Sequence, residues 1–546
     1  MKTKNLLLLG ILSLGCLAGC SPADPSSQSG PSVPYAGTIS IQCVKLGYGT
    51  DWLEALMSAY TAKTGVRFDF QEAIGMDGNN NLDDQLRSLT APADIYGLRP
   101  NSFFEFLYKG SITAGGQNYD TWFEPLNDIY TEAYDGELGN NTMLNKMYPE
   151  FSDYVHVNNN YYGVPWANGF LSFVRNLDVW TAFGFTADEY PRTTDELFEM
   201  MDVMNVKIAS GDKKYANKAP MMFCKKDEYY SSILGSWFSQ YEDAATMQKF
   251  YNGRNPDGNY DTDLFTYDGI YESLSVMQKL VEYNKTTRKY TYQHSSSDEL
   301  EFVQAQDYFL LGRSAFYVNG TWLEVESTRA KTSNVDFIKI PLISSIVDKL
   351  SKDYTDEQLR EMVSFVDEHI EVGDNENLPA GVLEEDIEIV RDSRNRGSYM
   401  RSDMDHLFVI PSWSKMKTEA KAFLKWMYSD EALQLFYDTM NGHHLPATPS
   451  TGYYSKDNTT LSQVRVSAVK AMEENKFCLY QAYTKKDKMF AIAKVQPNFS
   501  NTIAKTGNCI TWLIDGMTPD QIIAENTNYM TVKWESIRNC LDKDQL

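Results

Sequence analysis

The chain has 546 residues, 42% of them hydrophobic and 23% charged, with 74 acidic against 50 basic side chains and a formal net charge of −24. A polyanion repels phosphate backbones, which argues against nucleic acid as a partner, and 10 Trp, 35 Tyr and 27 Phe are too many for an acidic disordered tail. At about 150 residues per domain the length suggests two to four domains, and after the N-terminus no apolar run reaches the ~18 residues of a membrane-spanning helix.

The chain opens on an address. Lys2 and Lys4 precede an almost wholly apolar run over residues 5–14, which closes on Leu17-Ala18-Gly19-Cys20. Charged, apolar and small-residue regions in that order read as a secretory signal over residues 1–19. Its end resembles the bacterial lipobox, which implies lipid on the Cys20 sulfur and a protein held on the outer face of the cell membrane. Residues 20–37, with Pro22, Pro25, Pro31 and Pro34 among serines, have little apolar surface to bury and read as a flexible tether.

Residues 38–44 alternate as a strand, with Ile39, Ile41 and Cys43 on one face. A turn through Gly47 and Gly49 leads to a helix whose buried stripe is Trp52, Leu53, Leu56, Met57 and Tyr60, with Thr50 or Asp51 as cap and Gly65 at the left-handed C-terminal position. Val66, Phe68 and Phe70 alternate as a second strand, Leu82, Leu86 and Leu89 mark a second helix, and residues 93–96 a third strand. Strands alternating with helices predict an α/β fold with parallel pairing. Farther on, Thr193 and Glu196 have capping-box spacing ahead of Leu197, Met200, Met201 and Met204, and residues 270–283 and 420–440 are amphipathic at helical spacing. Residues 347–403 read as an acidic surface insertion with helices near 355–369 and 384–396 and a solvated charge face. Beyond Cys16 and Cys20 in the signal, Cys43, Cys224, Cys478, Cys509 and Cys540 contain no Cys-x-x-Cys and read as small buried apolar residues.

The common catalytic signatures are missing: no phosphate-binding P-loop, no His-Glu-x-x-His, no Gly-x-Ser-x-Gly and no Gly-x-Gly-x-x-Gly. Six histidines are scattered, and only His443 and His444 are adjacent. Asp257, Asn259, Asp261, Asp263 and Asp268 fall at positions 1, 3, 5, 7 and 12 of a calcium-type loop, but position 6 is Thr262 where such loops place Gly. Two readings stand there, a calcium site and an acidic loop that opens the following helix.

Aromatic residues beside small polar ones recur where strands meet loops, in Tyr161-Tyr162-Gly163-Val164-Pro165-Trp166-Ala167-Asn168 and in the segment 312–322, where Asn319-Gly320 is expected to make an exposed turn presenting Trp322. Sugars have apolar C–H faces and hydroxyl rims, and flat rings with carboxylates, carboxamides and guanidinium groups fit both. Five stretches in order then resemble extracellular solute-binding protein family 1, the lipid-anchored sugar-binding components of bacterial ABC importers. They are 53–68, Tyr162-Gly163-Val164-Pro165 with Val174-Arg175-Asn176-Leu177-Asp178, Pro191-Arg192-Thr193-Thr194-Asp195-Glu196-Leu197, 312–322, and 420–446.

The resemblance implies two α/β lobes of the periplasmic-binding-protein type II fold joined by hinge crossings: 38–165 plus 337–440 for the first lobe, carrying the insertion, and 166–336 plus 441–546 for the second. It implies a monomeric, non-enzymatic protein that needs no cofactor, closes on a carbohydrate and passes it to permease subunits. Trp322 would be the stacking platform, with Trp166 and Asn168 on the hinge side. Tyr48, Asp51, Glu72 and Tyr96 stand at strand C-termini, where open α/β sheets hold ligands, and Trp237, Asn319, Arg401 and Trp413 complete the candidates. Two rival readings are a surface glycan-degrading lipoprotein with carboxylates ~5–9 Å apart and a receptor or adhesin on the same fold.

Overall fold

The computed structural model describes residues 37–541 apart from 90–92, 100–101, 138–140, 167–168, 226–228, 370, 372, 402–405, 444–446, 451–460, 475 and 479–485. The signal, Cys20 and all but the last residue of the tether lie outside the described residues, as does Asn168.

Two sheets organise the molecule. The first has the order Arg67–Ile74, Thr38–Lys45, Ile95–Leu98, His406–Val409, Val164–Trp166. Thr38–Lys45 pairs in parallel with both Arg67–Ile74 and Ile95–Leu98, with Ile41 opposite Phe70 on one side and Ile95 on the other. Parallel pairing requires a crossover, and the helix Asp51–Thr64 supplies it, burying Trp52, Leu53, Leu56, Met57 and Tyr60 as its periodicity predicts. Gly65 ends that helix at φ 78°, and its N–H donates to the Thr61 carbonyl. The expected cap is different: Thr50 makes no side-chain bond to the helix amides, because its hydroxyl goes to Glu72 across the sheet.

The second sheet has the order Ala219–Met221, Ser314–Gly320, Phe170–Asn176, Tyr399–Arg401, Phe477–Cys478, and Val335–Ile338 also pairs with Phe170–Asn176. Every residue of Phe170–Asn176 and Ser314–Gly320 is buried, the pattern of strands covered on both faces. The chain passes between the sheets from Trp166 to Phe170, from Arg401 to His406 and again between Val409 and Phe477, which divides the molecule into the two lobes.

The insertion departs from expectation in two ways. Tyr399–Arg401 pairs with Phe170–Asn176, and the helix Glu384–Gly397 packs on the helix Tyr229–Tyr241, so this segment builds onto the second sheet and not the first. Its charge is not merely solvated, because Arg391 and Arg394 are buried. Asp367 on the helix Asp356–Glu368 accepts from Arg394 at 2.9 Å and from Lys339 at 2.9 Å, and Lys339 also reaches Glu474 at 3.1 Å. Burial opposes the ionised form of Asp367, and the two cations outweigh it and hold the carboxyl well below the usual range.

Local signals elsewhere translate partly. Thr355 and Gln358 form a reciprocal capping box, whereas Thr193 caps the Glu196 amide but the Glu196 carboxylate turns back to Arg192. The amphipathic stretch 420–440 is two helices, Lys417–Met427 and Asp430–Thr439, because Ser429 starts a new helix by accepting from the Ala432 amide. Cys43, Cys224 and Cys509 are buried as expected. No helix among the described residues is long and apolar enough to cross a membrane.

Candidate functional site between the lobes

In the first sheet Thr38–Lys45, Arg67–Ile74 and Ile95–Leu98 run in parallel, so their C-terminal ends share one edge, and that edge meets the C-terminal end of Ser314–Gly320. After Lys45 the chain turns tightly, the Gly49 N–H donating to the Leu46 carbonyl at 2.8 Å with Gly49 at φ 66°. This turn aims Tyr48 at the second lobe. Its hydroxyl lies 2.5 Å from Thr321 Oγ1, and its ring meets Trp322 edge-on at 6.0 Å. Close approach is possible because glycine faces it: a Cβ on Gly169 would stand 1.9 Å from the Tyr48 hydroxyl, and one on Gly47 would stand 2.9 Å from the Trp322 ring.

Trp322 stands at the head of the short helix Leu323–Glu326 and is 8% exposed. Its indole N–H donates to the Tyr229 hydroxyl at 2.9 Å, and the two rings meet edge-on at 5.6 Å. Three aromatic side chains from three separate segments therefore converge where the lobes touch. The turn before Trp322 is not the open one expected, since Asn319 and Gly320 complete a fully buried strand and Asn319 bonds Gln306 and the Gly320 amide.

Behind this cluster lies buried charge. Glu324 accepts from Arg465 at 3.0 Å, and the Arg465 guanidinium reaches the ring of His443, which meets Tyr48 edge-on at 4.8 Å. Burial pulls the Arg465 pKa below its usual value against the opposing pull of Glu324. At the strand edge Glu72 is engaged by the Thr50 hydroxyl and by Lys45 at 3.0 Å, and these contacts, that from Thr50 foremost, lower its pKa. Glu324 is thus paired with Arg465 and Glu72 with Lys45, while the Glu326 carboxylate lies beside Trp322, 3.1 Å from where a Cβ on Gly47 would stand.

The remaining candidates separate. Asp51 is exposed beside the Tyr48 turn. Arg401 stands at a crossing, donates to Glu150 of the first lobe at 2.7 Å and covers the Phe151 ring at 5.1 Å, so it joins the lobes. Trp166 is fully buried and stacks on Trp52 at 5.7 Å inside the first lobe. Tyr96 is core as well, its hydroxyl directed to Gln85 and its pKa pushed up to about 12 by burial. Trp237 is core in the second lobe, bonded to the Pro341 carbonyl at 3.2 Å. Trp413 is at the wrong end: His406–Val409 runs antiparallel to Ile95–Leu98, which carries Trp413 to the edge away from the junction, beside Trp122 at 6.1 Å.

The calcium-type spacing does not become a ligand cluster. Asp263 accepts from Asn255 at 2.8 Å, Asp261 from the Thr262 amide at 2.6 Å, and Asp268 begins the helix Asp268–Leu280. Among the described residues no three His, Cys, Asp or Glu side chains are placed to hold a metal. Sequence reasoning missed Tyr229, Thr321, Glu324, His443 and Arg465. Only Tyr229 carried a local signal, an aromatic pair at the start of a helix.

The family model for bacterial extracellular solute-binding proteins matches residues 55–457. The chain belongs to that family. No curated protein sequence matches this solute-binding protein. Its fold is similar to that of a chitin oligosaccharide binding protein, at 15% identity with a TM-score of 0.57 over 92% of this chain and 99% of the other. It is also similar to a protein of xylan utilization by the thermophilic bacterium Caldanaerobius polysaccharolyticus, at 12% identity and TM-score 0.57 over 90% and 99%. RafE in complex with raffinose aligns at 13% identity and TM-score 0.52 over 91% and 99%. At these identities the likeness establishes the two-lobed fold of this solute-binding protein.

Proposed function

We propose that this solute-binding protein captures a carbohydrate, an oligosaccharide in particular, between its lobes and delivers it unaltered to the permease of an ABC importer, as a monomer tethered outside the cell membrane by lipid on Cys20. The carrying observation is the meeting of Tyr48, Tyr229 and Trp322 at the junction, beside the strand ends where α/β sheets bind ligands. Rings of this kind offer faces to sugar C–H groups once the lobes part, and Thr321, Tyr48 and Asp51 offer hydrogen-bonding partners to hydroxyls. Lipid anchoring rests on the Leu17-Ala18-Gly19-Cys20 motif, and delivery to a permease rests on the family resemblance. Binding without hydrolysis rests on membership of a solute-binding family. The cycle proposed here uses no metal.

The test is a thermal-shift series with raffinose, xylo-oligosaccharides and chitin oligosaccharides, with the sugars recovered afterwards by chromatography. A ligand-dependent rise in Tm with intact sugars is expected, and Trp322→Ala should weaken binding by ~1–3 kcal/mol with folding retained. Released monosaccharides, or an unchanged affinity in Trp322→Ala, would overturn the reading.

A further inference from the structure

Away from the junction, the second lobe carries positive charge without a counterweight. Ala219–Met221 pairs in parallel with Ser314–Gly320, Ala219 opposite Ser314, so Lys218 and Arg313 enter their strands side by side. Trp322 follows the other end of Ser314–Gly320, roughly 20 Å away at about 3.3 Å per residue, so this place is distinct from the aromatic cluster. The basic face extends outward: Lys214 covers the Tyr215 ring at 5.4 Å, Tyr215 stacks on Phe183 at 5.1 Å, and Lys207 donates to the Phe183 carbonyl. Among the described residues none of Lys207, Lys213, Lys214, Lys218 and Arg313 makes an ion pair, whereas the buried Arg175, Arg394 and Arg465 each have a carboxylate. Asp212, the acid of this segment, caps the Lys214 amide at 2.9 Å.

Lys218 and Arg313 are half-buried, and the fold fixes the first of them. Lys218 Nζ donates to the Gly312 carbonyl at 2.8 Å and stands 3.9 Å from where a Cβ on Gly312 would be. An ammonium has further N–H groups to give, and among the described residues the Arg313 guanidinium makes no hydrogen bond. The Arg313 amide donates to the Tyr308 carbonyl at 3.1 Å, and the Tyr308 ring meets the buried His294 edge-on at 6.2 Å. His294 is itself held, its Nδ1 accepting from the Ser296 amide at 3.2 Å. Burial lowers the pKa of both Lys218 and His294, and the Arg313 charge pushes each the same way, opposed at His294 by a hydrogen bond with the Asn217 backbone. No carboxylate acts on either group. Three basic groups therefore share one uncompensated field in a chain whose net charge is −24.

We propose that Lys218 and Arg313, backed by His294, bind a single phosphate group, either free or as an ester. A guanidinium offers a planar fork of N–H donors and an ammonium a point charge, and a phosphate has oxygens enough to take both. Its charge of about −1.5 to −2 near neutral pH also relieves the repulsion between the two cations, which a monovalent carboxylate does less well. The net charge of the chain repels a long polyanion, but at physiological salt interactions are screened beyond ~8 Å, so one phosphate responds to the cations beside it. The site goes beyond the transport reading and does not depend on the ligand held between the lobes.

The test is calorimetric titration of the full protein at constant ionic strength with inorganic phosphate, glycerol 3-phosphate and the diester glycerophosphoglycerol, and with acetate as the control anion. Binding of at least one phosphate probe in preference to acetate is expected. It should weaken about tenfold or more in Arg313→Gln and in Lys218→Gln, and stay native in Trp322→Ala. Binding of inorganic phosphate or the monoester alone would uphold the proposal with a soluble phosphate as ligand, and binding of the diester would uphold it with a source such as a lipid headgroup. Binding of no phosphate probe, acetate bound as tightly, or phosphate affinity unchanged in both variants would overturn it. If Lys218→Gln fails to fold, Arg313→Gln decides with the same outcomes. Oligosaccharide affinity should be native in Arg313→Gln, so failure of the sugar reading and failure of the phosphate site register in separate titrations.

Discussion

Gly169 shows how one missing side chain sets the junction. The Tyr48 hydroxyl occupies the space a Cβ at this position would need, with Thr321 Oγ1 only 2.4 Å from the same point, so the contact between lobes passes over bare backbone. Gly169→Ala should force Tyr48 away and lower stability by ~1–3 kcal/mol, the usual cost of overpacking, read as a drop in Tm of the ligand-free protein. Oligosaccharide affinity should fall in the same variant because the front contact no longer closes. An unchanged Tm and affinity would mean that Tyr48 does not sit against this backbone in solution.

The Asp367 carboxylate ties the helix Asp356–Glu368 to Arg394 of the helix Glu384–Gly397 and to Lys339, which follows the strand Val335–Ile338 of the second sheet. Removing its charge leaves Arg394 and Lys339 facing a neutral group in a dry site, and Asp367→Asn should cost ~3–5 kcal/mol. The pH dependence has a definite sign. The folded pKa of Asp367 is depressed below its ordinary value of 3.8, so its stabilising contribution is complete above that value and is lost as pH falls through the lower folded one. A series of Tm measurements from pH 6 downward should show a steep acid loss in the native protein and a shallower one in Asp367→Asn. Parallel curves would show that Asp367 is not the group being titrated.

At the scale of the whole molecule, two sheets are joined by crossings of the chain, and Tyr48, Arg401 and the aromatic cluster are among the places where one lobe touches the other. Hinge closure around a ligand is the motion this connectivity permits. Small-angle scattering should record a changed radius of gyration when a binding oligosaccharide is added, because the Tyr48–Thr321 contact must part to admit it, and no change in Trp322→Ala at the same concentration. A radius that stays constant in the native protein at saturation would mean that the lobes do not move on binding.

The sequence by itself determined much of the local structure: the β-α-β opening from period-2 and helical patterns, the left-handed end at Gly65 and the capping box at Thr355. These depend on neighbours a few residues apart, and the chain carries that information directly. The tertiary structure alone decided which aromatics face the junction. Trp166 and Trp322 look alike in sequence, each beside small residues near the end of a strand, yet one is covered by Trp52 and the other meets Tyr48 and Tyr229. Likewise Arg465 could not be read as a partner of Glu324, which stands 141 positions earlier in the chain. The insertion's allegiance to the second lobe hangs on the strand Tyr399–Arg401 finding Phe170–Asn176. A side chain's burial is set by whatever distant segment packs over it, and no local pattern encodes that choice.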